Sequence, residues 1–372
     1  MTPPSDIIVV GAGIIGCAVA HELARRGASV EIVDERPVGM GATQASAGVL
    51  APYIEAGVRG PLQELTVRSL DLYDDFVARI SAESGVAIAY RRSGTIEVAA
   101  SDADMRALIA AAEALAKRDV AVRLLDAAAV RAEEPLVGDG VVGGLVIDTH
   151  GFVAAGELTR AIAAAARQAG AQLIEPCHVR SITSRSGEIR VDTDRGSLRG
   201  DAVVVAAGSW SGEISIDGVS ARVPVRPVRG QLLSLVWVGP QLRRVTWTSR
   251  CYFVPWEDGT VLVGATVEDA GFDERATVAG VHDLLDAACE AVPHTWTAGF
   301  RGARVGLRPG TADGLPIIGA LSGAPNVMYA SGHYRNGVLL APITARLVAD
   351  AMLDGRVDPL IAPLGPSRFG QP

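Results

Sequence analysis

Two glycine-rich turns, one near each end of the chain, carry the residues best placed to do chemistry. The first is Gly11-Ala-Gly13-Ile14-Ile15-Gly16, followed eighteen residues after Gly16 by Asp34, with Glu35 next to it. At this spacing Gly11 makes a tight turn, Gly13 lets a pyrophosphate approach the backbone, and Gly16 lets helix and strand pack closely. An acid at the distance of Asp34 accepts hydrogen bonds from a ribose. The chemistry is the binding of an ADP moiety, and the spacing alone does not choose between FAD and NAD. The second turn lies in 326–342, Asn-Val-Met-Tyr-Ala-Ser-Gly-His-Tyr-Arg-Asn-Gly-Val-Leu-Leu-Ala-Pro. Gly332 and Gly337 break a short apolar strand from a long apolar-periodic helix. A helix that starts this way aims free N–H groups and a partial positive charge at whatever precedes it. A group that becomes anionic, such as a reduced flavin ring, suits that place and would meet Asn336, Gly337, Val338 and Leu339.

The elements around these turns follow from periodicity and breakers. Residues 7–10 are a continuous apolar, β-branched run, as a buried parallel strand requires. The helix after the first turn stops at Gly27, and 29–33 forms the next strand, which Asp34 ends. The loop 39–50 is rich in small and hydroxyl residues. Thr43 and Ser46 are its candidate phosphate or ring contacts, beside Ala47 and Gly48, with ordinary cap or turn duty as the alternative. Helices are expected over 62–85, 102–118, 126–134, 156–170 and 278–291. Strands are expected over 94–99, 201–206, 230–236, 251–256 and 261–266, with 304–310 as the connection back to the second turn. The strand from 201 ends in the small-residue turn of Ala207, Gly208 and Trp210. Val179 lies where a backbone amide could meet an adenine. The pattern predicts an α/β protein of two discontinuous domains. Residues 1–85, 151–222 and 305–372 form the nucleotide-binding one, and 86–150 and 223–304 form a β-rich substrate-binding one.

Composition narrows the functions. A net charge of -8 argues against a nucleic-acid partner. No apolar run is long enough to span a bilayer, and the run 7–20 lacks the basic leader of a signal sequence. The four cysteines, Cys17, Cys177, Cys251 and Cys289, form no CxxC pair, so no zinc site is expected and a cytoplasmic setting fits. Lys117 is the only lysine, which leaves little room for a lysine base or Schiff base. His21, His150, His178, His282 and His294 share no spacing and read as ordinary surface or core residues.

GAGIIG, TQASAG, CYFVP…VGAT, GLRPGTADGLPIIG and GHYRNGVLLAP occur in that order along nearly the whole chain. With them the sequence resembles the D-amino-acid oxidase superfamily, and within it the glycine oxidases that serve thiamine biosynthesis. Ala207 then stands in the threonine place of the flavoprotein "ATG" turn. The resemblance implies a two-domain α/β flavoprotein with a Rossmann-like FAD-binding domain, an α+β substrate domain and FAD held noncovalently. It also implies an amino-acid oxidase acting on CH-NH2 or CH-NH bonds. Glycine, sarcosine and small D-amino acids would yield the 2-oxo acid, ammonia or amine, and hydrogen peroxide, with O2 as co-substrate.

By position in the family motifs, Arg308 grips the substrate carboxylate, Tyr252 hydrogen-bonds it, and Arg335 lines the site. Trp247, five residues before Tyr252, replaces a tyrosine common in the family, and a bulky residue lining the pocket would favour glycine or sarcosine. His333 reads as a packing neighbour of the flavin. A guanidinium pins a carboxylate through two parallel bonds, which orients the substrate Cα–H toward the flavin without a side-chain base. Sarcosine oxidases attach FAD through a cysteine in the C-terminal third, yet none follows Cys289 here. A D-amino-acid dehydrogenase passing electrons to a quinone, and a non-catalytic dinucleotide-binding protein, are the alternative readings. A homo-oligomeric state stays open.

Overall fold

The computed structural model describes residues 5–55, 60–185, 187–217 and 223–370. Its first sheet has nine strands. The strand Ser5–Val10 runs parallel between Gly196–Val205 and Val30–Val33, and Ala324–Ser331 lies parallel to the end of Gly196–Val205. Along Ser5–Val10, Ile7 and Val9 join one core while Ile8 and Val10 join another. Both faces are covered over Ile7–Val10, so these four residues are continuously apolar, after the polar Ser5 and Asp6 at the strand's start. Helices Ile14–Arg25, Ala155–Gln168 and Gly337–Leu353 supply the core on the Ile7 side.

Helix Gly337–Leu353 carries Pro342 inside it. A proline there removes the bond that would end on the carbonyl four residues back, Val338. The fully buried Tyr73 donates its hydroxyl to that carbonyl at 2.9 Å, and Ser69 Oγ donates to the next one, Leu339, at 2.6 Å. Those donors sit on two helices, Pro61–Asp71 and Tyr73–Ser84, where one helix over 62–85 was expected; the chain breaks stride at Leu72.

The second sheet has eight strands, in the spatial order Gly299–Gly310, Arg226–Val236, Thr260–Gly264, Tyr252–Pro255, Val245–Trp247, Thr95–Ala99, Gly143–Ile147 and Arg123–Asp126. The expected connection 304–310 is part of its edge strand, Gly299–Gly310. This strand pairs along its whole length with Arg226–Val236, so a domain boundary drawn at 304/305 falls inside it. Its sequence, Gly-Phe-Arg-Gly-Ala-Arg-Val-Gly-Leu-Arg-Pro-Gly, shows no clean alternation because glycines and arginines occupy positions where apolar residues would mark a strand. A small sheet of Val49–Leu50, Gly151–Val153 and Tyr90–Arg91 lies apart from the two large ones. Among the described residues no helix is long and apolar enough to cross a membrane, and no group of metal-ligating side chains gathers.

Candidate active site

A single cleft of about 1870 Å³, its open mouth included, joins the two glycine turns. One end is made almost entirely of backbone. A Cβ on Gly16 would lie 1.8 Å from the carbonyl oxygen of Gly11, so only glycine lets the helix start against the turn. A Cβ on Gly13 would meet nothing nearer than Thr43 Oγ1 at 3.7 Å, so that position stays open to the cleft. Gly13 caps helix Ile14–Arg25 in extended conformation and offers no side-chain cap. Thr43 Oγ1 takes the Ile14 N–H, and the N–H groups that follow in the first turn have no side-chain cap and suit an anion.

Asp34 accepts from the Ala12 N–H at 2.5 Å through one carboxylate oxygen and from the Arg36 N–H at 2.8 Å through the other. Burial raises its pKa, against the pull of those two donors. Thr43 Oγ1 accepts from Ile14 N at 3.3 Å and Ser46 Oγ from Gly48 N at 3.2 Å, so both hydroxyls have local turn or cap partners while lining the cleft. Gly11, Ile14, Ile15, Glu35, Ala47, Gly48, Val179, Ala207, Gly208 and Trp210 also line it, and Gly16 lies behind the turn.

At this end of the cleft, His178 and Arg36 escaped the sequence reading. His178 faces Glu35 across the rim, Nδ1 to Oε2 2.9 Å. Arg36 lays its guanidinium 4.5 Å over the Trp210 ring and grips Glu274 with two bonds of 2.9 and 2.8 Å. Neither has a spacing signal, because each partner is distant in the chain.

At the C-terminal turn, Gly337 and Val338 line the cleft, whereas Asn336 and Leu339 sit behind the wall. Asn336 caps helix Gly337–Leu353 without a side-chain bond. This is a second uncapped helix start beside the cleft. His333 is buried, with Nε2 3.1 Å from Thr344 Oγ1, and burial lowers its pKa to about 3. Burial holds the ring neutral, and it packs at the wall of the cleft.

The other end is made of side chains laid over gaps. Residues 228, 230 and 232 of one strand share a face with 308, 306 and 304 of its neighbour. Arg308 leans across Gly230, where a Cβ would stand 2.3 Å from its guanidinium. Arg308 Nη1 donates to the carbonyls of Thr266 at 2.9 Å and Arg229 at 3.4 Å. Among the described residues no protein acceptor takes Nη2, which leaves part of the fork for a ligand. Three strands over from Arg308, Tyr252 crosses Gly264, where a Cβ would be 2.5 Å from the phenol oxygen. Burial and the nearby Glu55 push the Tyr252 phenol up to about 12, so it is a neutral donor.

Arg335 arrives from the first sheet. The Tyr334 N–H donates to the Pro309 carbonyl at 3.0 Å, a backbone bond that ties the residue after Arg308 to the residue before Arg335. Arg308, Tyr252, Tyr334, Arg335 and Glu55 all line this end of the cleft. Trp247 does not. It stands behind Tyr252, ring centroids 4.6 Å apart, with the Arg335 guanidinium 6.0 Å from its own centroid. Tyr252 and Trp247 are directly paired across two antiparallel strands, and Tyr252 is the one turned into the cleft. Glu55, on the four-residue helix Pro52–Glu55, pairs with Arg335 at 2.8 Å to Nε and 3.1 Å to Nη2.

The chain matches the family described as FAD dependent oxidoreductase over residues 6–351. It is 33% identical to glycine oxidase of Bacillus licheniformis, over 95% of this chain and 94% of that protein. It is 34% identical to the bifunctional protein ThiO/ThiG of Synechocystis sp., over 99% of this chain but 55% of the relative, so it spans about half the length of that protein. The fold superposes on a crystal structure of glycine oxidase from Geobacillus kaustophilus with a TM-score of 0.94 at 32% identity, covering 98% of this chain and 99% of that one. The uncapped helix starts, the open Gly13 and the acid beside Ala12 agree with that match, and the chain belongs to the family of FAD-dependent oxidoreductases.

Proposed function

We propose that the protein oxidises glycine and other small amines, sarcosine and small D-amino acids among them, to the 2-oxo acid and ammonia or amine. Bound FAD supplies the electron acceptor and returns the electrons to O2 as hydrogen peroxide. Gly11, Gly13, Ile14, Ile15 and Asp34 would hold the ADP portion, with Glu35, Thr43, Ser46, Ala47, Gly48 and Val179 along the same wall. Ala207, Gly208, Trp210, His333, Gly337 and Val338 would hold the remainder, Gly337 and Val338 with backbone N–H groups. Gly16, Asn336 and Leu339 would support that wall from behind. The N–H of an uncapped helix stabilises negative charge that develops nearby.

What carries the reading is Arg308. Its guanidinium is fixed through Nη1 across Gly230, at the far end of a cleft whose near end is a dinucleotide turn. A carboxylate gripped there, with a bond from the Tyr252 hydroxyl, places the α-carbon toward the rest of the cleft and stops it rotating. Arg335 adds charge beside it, and Trp247 acts through Tyr252 by fixing its ring. The chemistry needs no side-chain base, because the amine is taken in its uncharged form. Its oxidation gives an imine that water hydrolyses.

The two-domain division at 85/86, 150/151 and 222/223, with the last boundary moved from 304/305 to beyond the strand Gly299–Gly310, belongs to this proposal, as does a cytoplasmic setting, which the absence of any disulfide among the four cysteines supports. So does supply of the glycine imine to thiazole formation in thiamine biosynthesis.

The test is a peroxide-coupled screen of glycine, sarcosine, D-alanine, D-proline and L-amino acids, repeated with an artificial electron acceptor. Peroxide from glycine or sarcosine supports the reading. Turnover of D-amino acids only with the artificial acceptor moves it to a dehydrogenase, and no turnover of any amine sinks it. Acid should release the flavin intact; flavin that stays attached to the chain contradicts noncovalent binding.

A further inference from the structure

Two guanidiniums converge on the substrate end of the cleft, and together they would suit a dianion. Glu55 changes that count. Its side chain is only 10% exposed, and its carboxylate meets the Arg335 fork at 2.8 and 3.1 Å. Arg308 and Tyr252 line the same end. Arg308 and Arg335 repel each other, while Glu55 attracts both. Burial raises the Glu55 carboxyl while the two guanidiniums pull it down; as the carboxylate paired with Arg335 it leaves one of the two positive charges uncompensated, because Tyr252 is neutral.

We propose that Glu55 is a charge filter: it leaves this end with one net positive charge, so that it accepts a small monocarboxylate and turns away dicarboxylates. The proposal rests on the amine-oxidase reading only for the kind of ligand that arrives. The physical case is one of cost. A buried carboxylate loses hydration, and the single acceptor oxygen of a neutral amide could hold one Arg335 N–H without that loss, though not both. Beyond that second contact, the charge supplies repulsion of a second anionic group. At the short range and reduced dielectric of a buried site, that repulsion amounts to about tenfold or more in affinity. Specificity built from an unfavourable interaction with the wrong ligand is a common device.

Acetate and malonate are the probes, and calorimetric binding to the FAD-loaded protein is the readout, so no turnover is needed. Wild type is expected to prefer acetate. Glu55→Gln keeps an acceptor for Arg335 and removes the charge, and the preference for acetate should shrink by about tenfold. Arg335→Gln leaves Glu55 facing the ligand alone, and the preference should grow by a similar factor. Either variant carries the test if the other is not recovered with FAD. Glu55→Asp, which keeps the charge, should keep the preference. A residue that merely holds Arg335 in place would alter both affinities together and leave their ratio alone. A change of less than about threefold in the ratio in Glu55→Gln and in Arg335→Gln overturns the proposal. A shifted ratio in a protein that yields no peroxide from any amine would leave the filter standing and remove the oxidase reading. Peroxide from glycine with an unshifted ratio would do the reverse.

Discussion

The two ends of the cleft are built in opposite ways. The dinucleotide end has a local centre: one turn, its flanking strand and helix, and an acid eighteen residues on, within 7–34, with residues from 41–48, 177–180 and 206–210 completing its wall. Its contacts are backbone groups, and its specificity lies in where side chains are missing. The carboxylate end is assembled from 55, 252, 308 and 335, which come from a short helix, two strands of one sheet and a turn beyond the other sheet. Its contacts are charged or phenolic side chains, and they fit because Gly230 and Gly264, on other strands again, leave room beneath them. A site centred on backbone draws its key residues from one stretch of sequence, even though Ala206 of a distant strand closes against its turn. A site made of side chains needs strand register to be right across a whole sheet.

Substitutions should separate the two ends. The largest effect is expected at Gly16. Gly16→Val places a side chain into the Gly11 carbonyl and should abolish FAD binding, read as loss of flavin absorbance in purified protein; flavin retained at full occupancy would show that the turn tolerates repacking. Arg308→Ala should do the converse. FAD stays bound, while kcat/KM for glycine falls about a hundredfold or more, on the order of 3 kcal/mol. A loss of less than about fivefold would move the anchor to Arg335. Gly230→Ala touches neither ligand yet should raise KM for glycine about tenfold, because the guanidinium must move to admit a methyl group. An unchanged KM would mean that Arg308 has a second usable position.

Much of the backbone end was legible because its signal and its function are the same residues. The side-chain end was reached through family motifs, and even then incompletely. Glu55 sits in Ala-Pro-Tyr-Ile-Glu, which has no periodicity or motif, and its meaning comes wholly from Arg335, 280 residues away. Gly230 and Gly264 read as ordinary strand glycines until register places Arg308 and Tyr252 over them. His178 looked like any other histidine, and it meets Glu35 only because residues 143 apart share a rim. Trp247 was expected in the pocket wall; pairing across antiparallel strands gives its face but not its depth. The edge strand Gly299–Gly310 was hidden because it is chosen for what lies over it more than for what it buries.

The smallest effect concerns stability, away from both ligands. Glu97 lies beside Trp247 in the parallel register, and burial raises its carboxyl from 4.5 to about 7. Its folded pKa exceeds its unfolded one, so its stabilising contribution is full below about 4.5 and is lost as pH rises through about 7. Glu97→Gln should raise stability at pH about 8 by roughly 1–2 kcal/mol, after allowance for partial exposure, and flatten the pH dependence across that window. Thermal unfolding at several pH values reads it. A melting temperature equally lowered at every pH would contradict the assignment of burial as the cause.

The claim that both ends serve one reaction is tested most directly without oxygen. Glycine mixed anaerobically with the FAD-loaded protein should bleach the flavin absorbance in a single turnover. Arg308→Ala, carrying the same flavin, should bleach about a hundredfold more slowly at equal glycine. Flavin that stays oxidised in wild type with glycine, sarcosine and D-alanine alike would contradict the account.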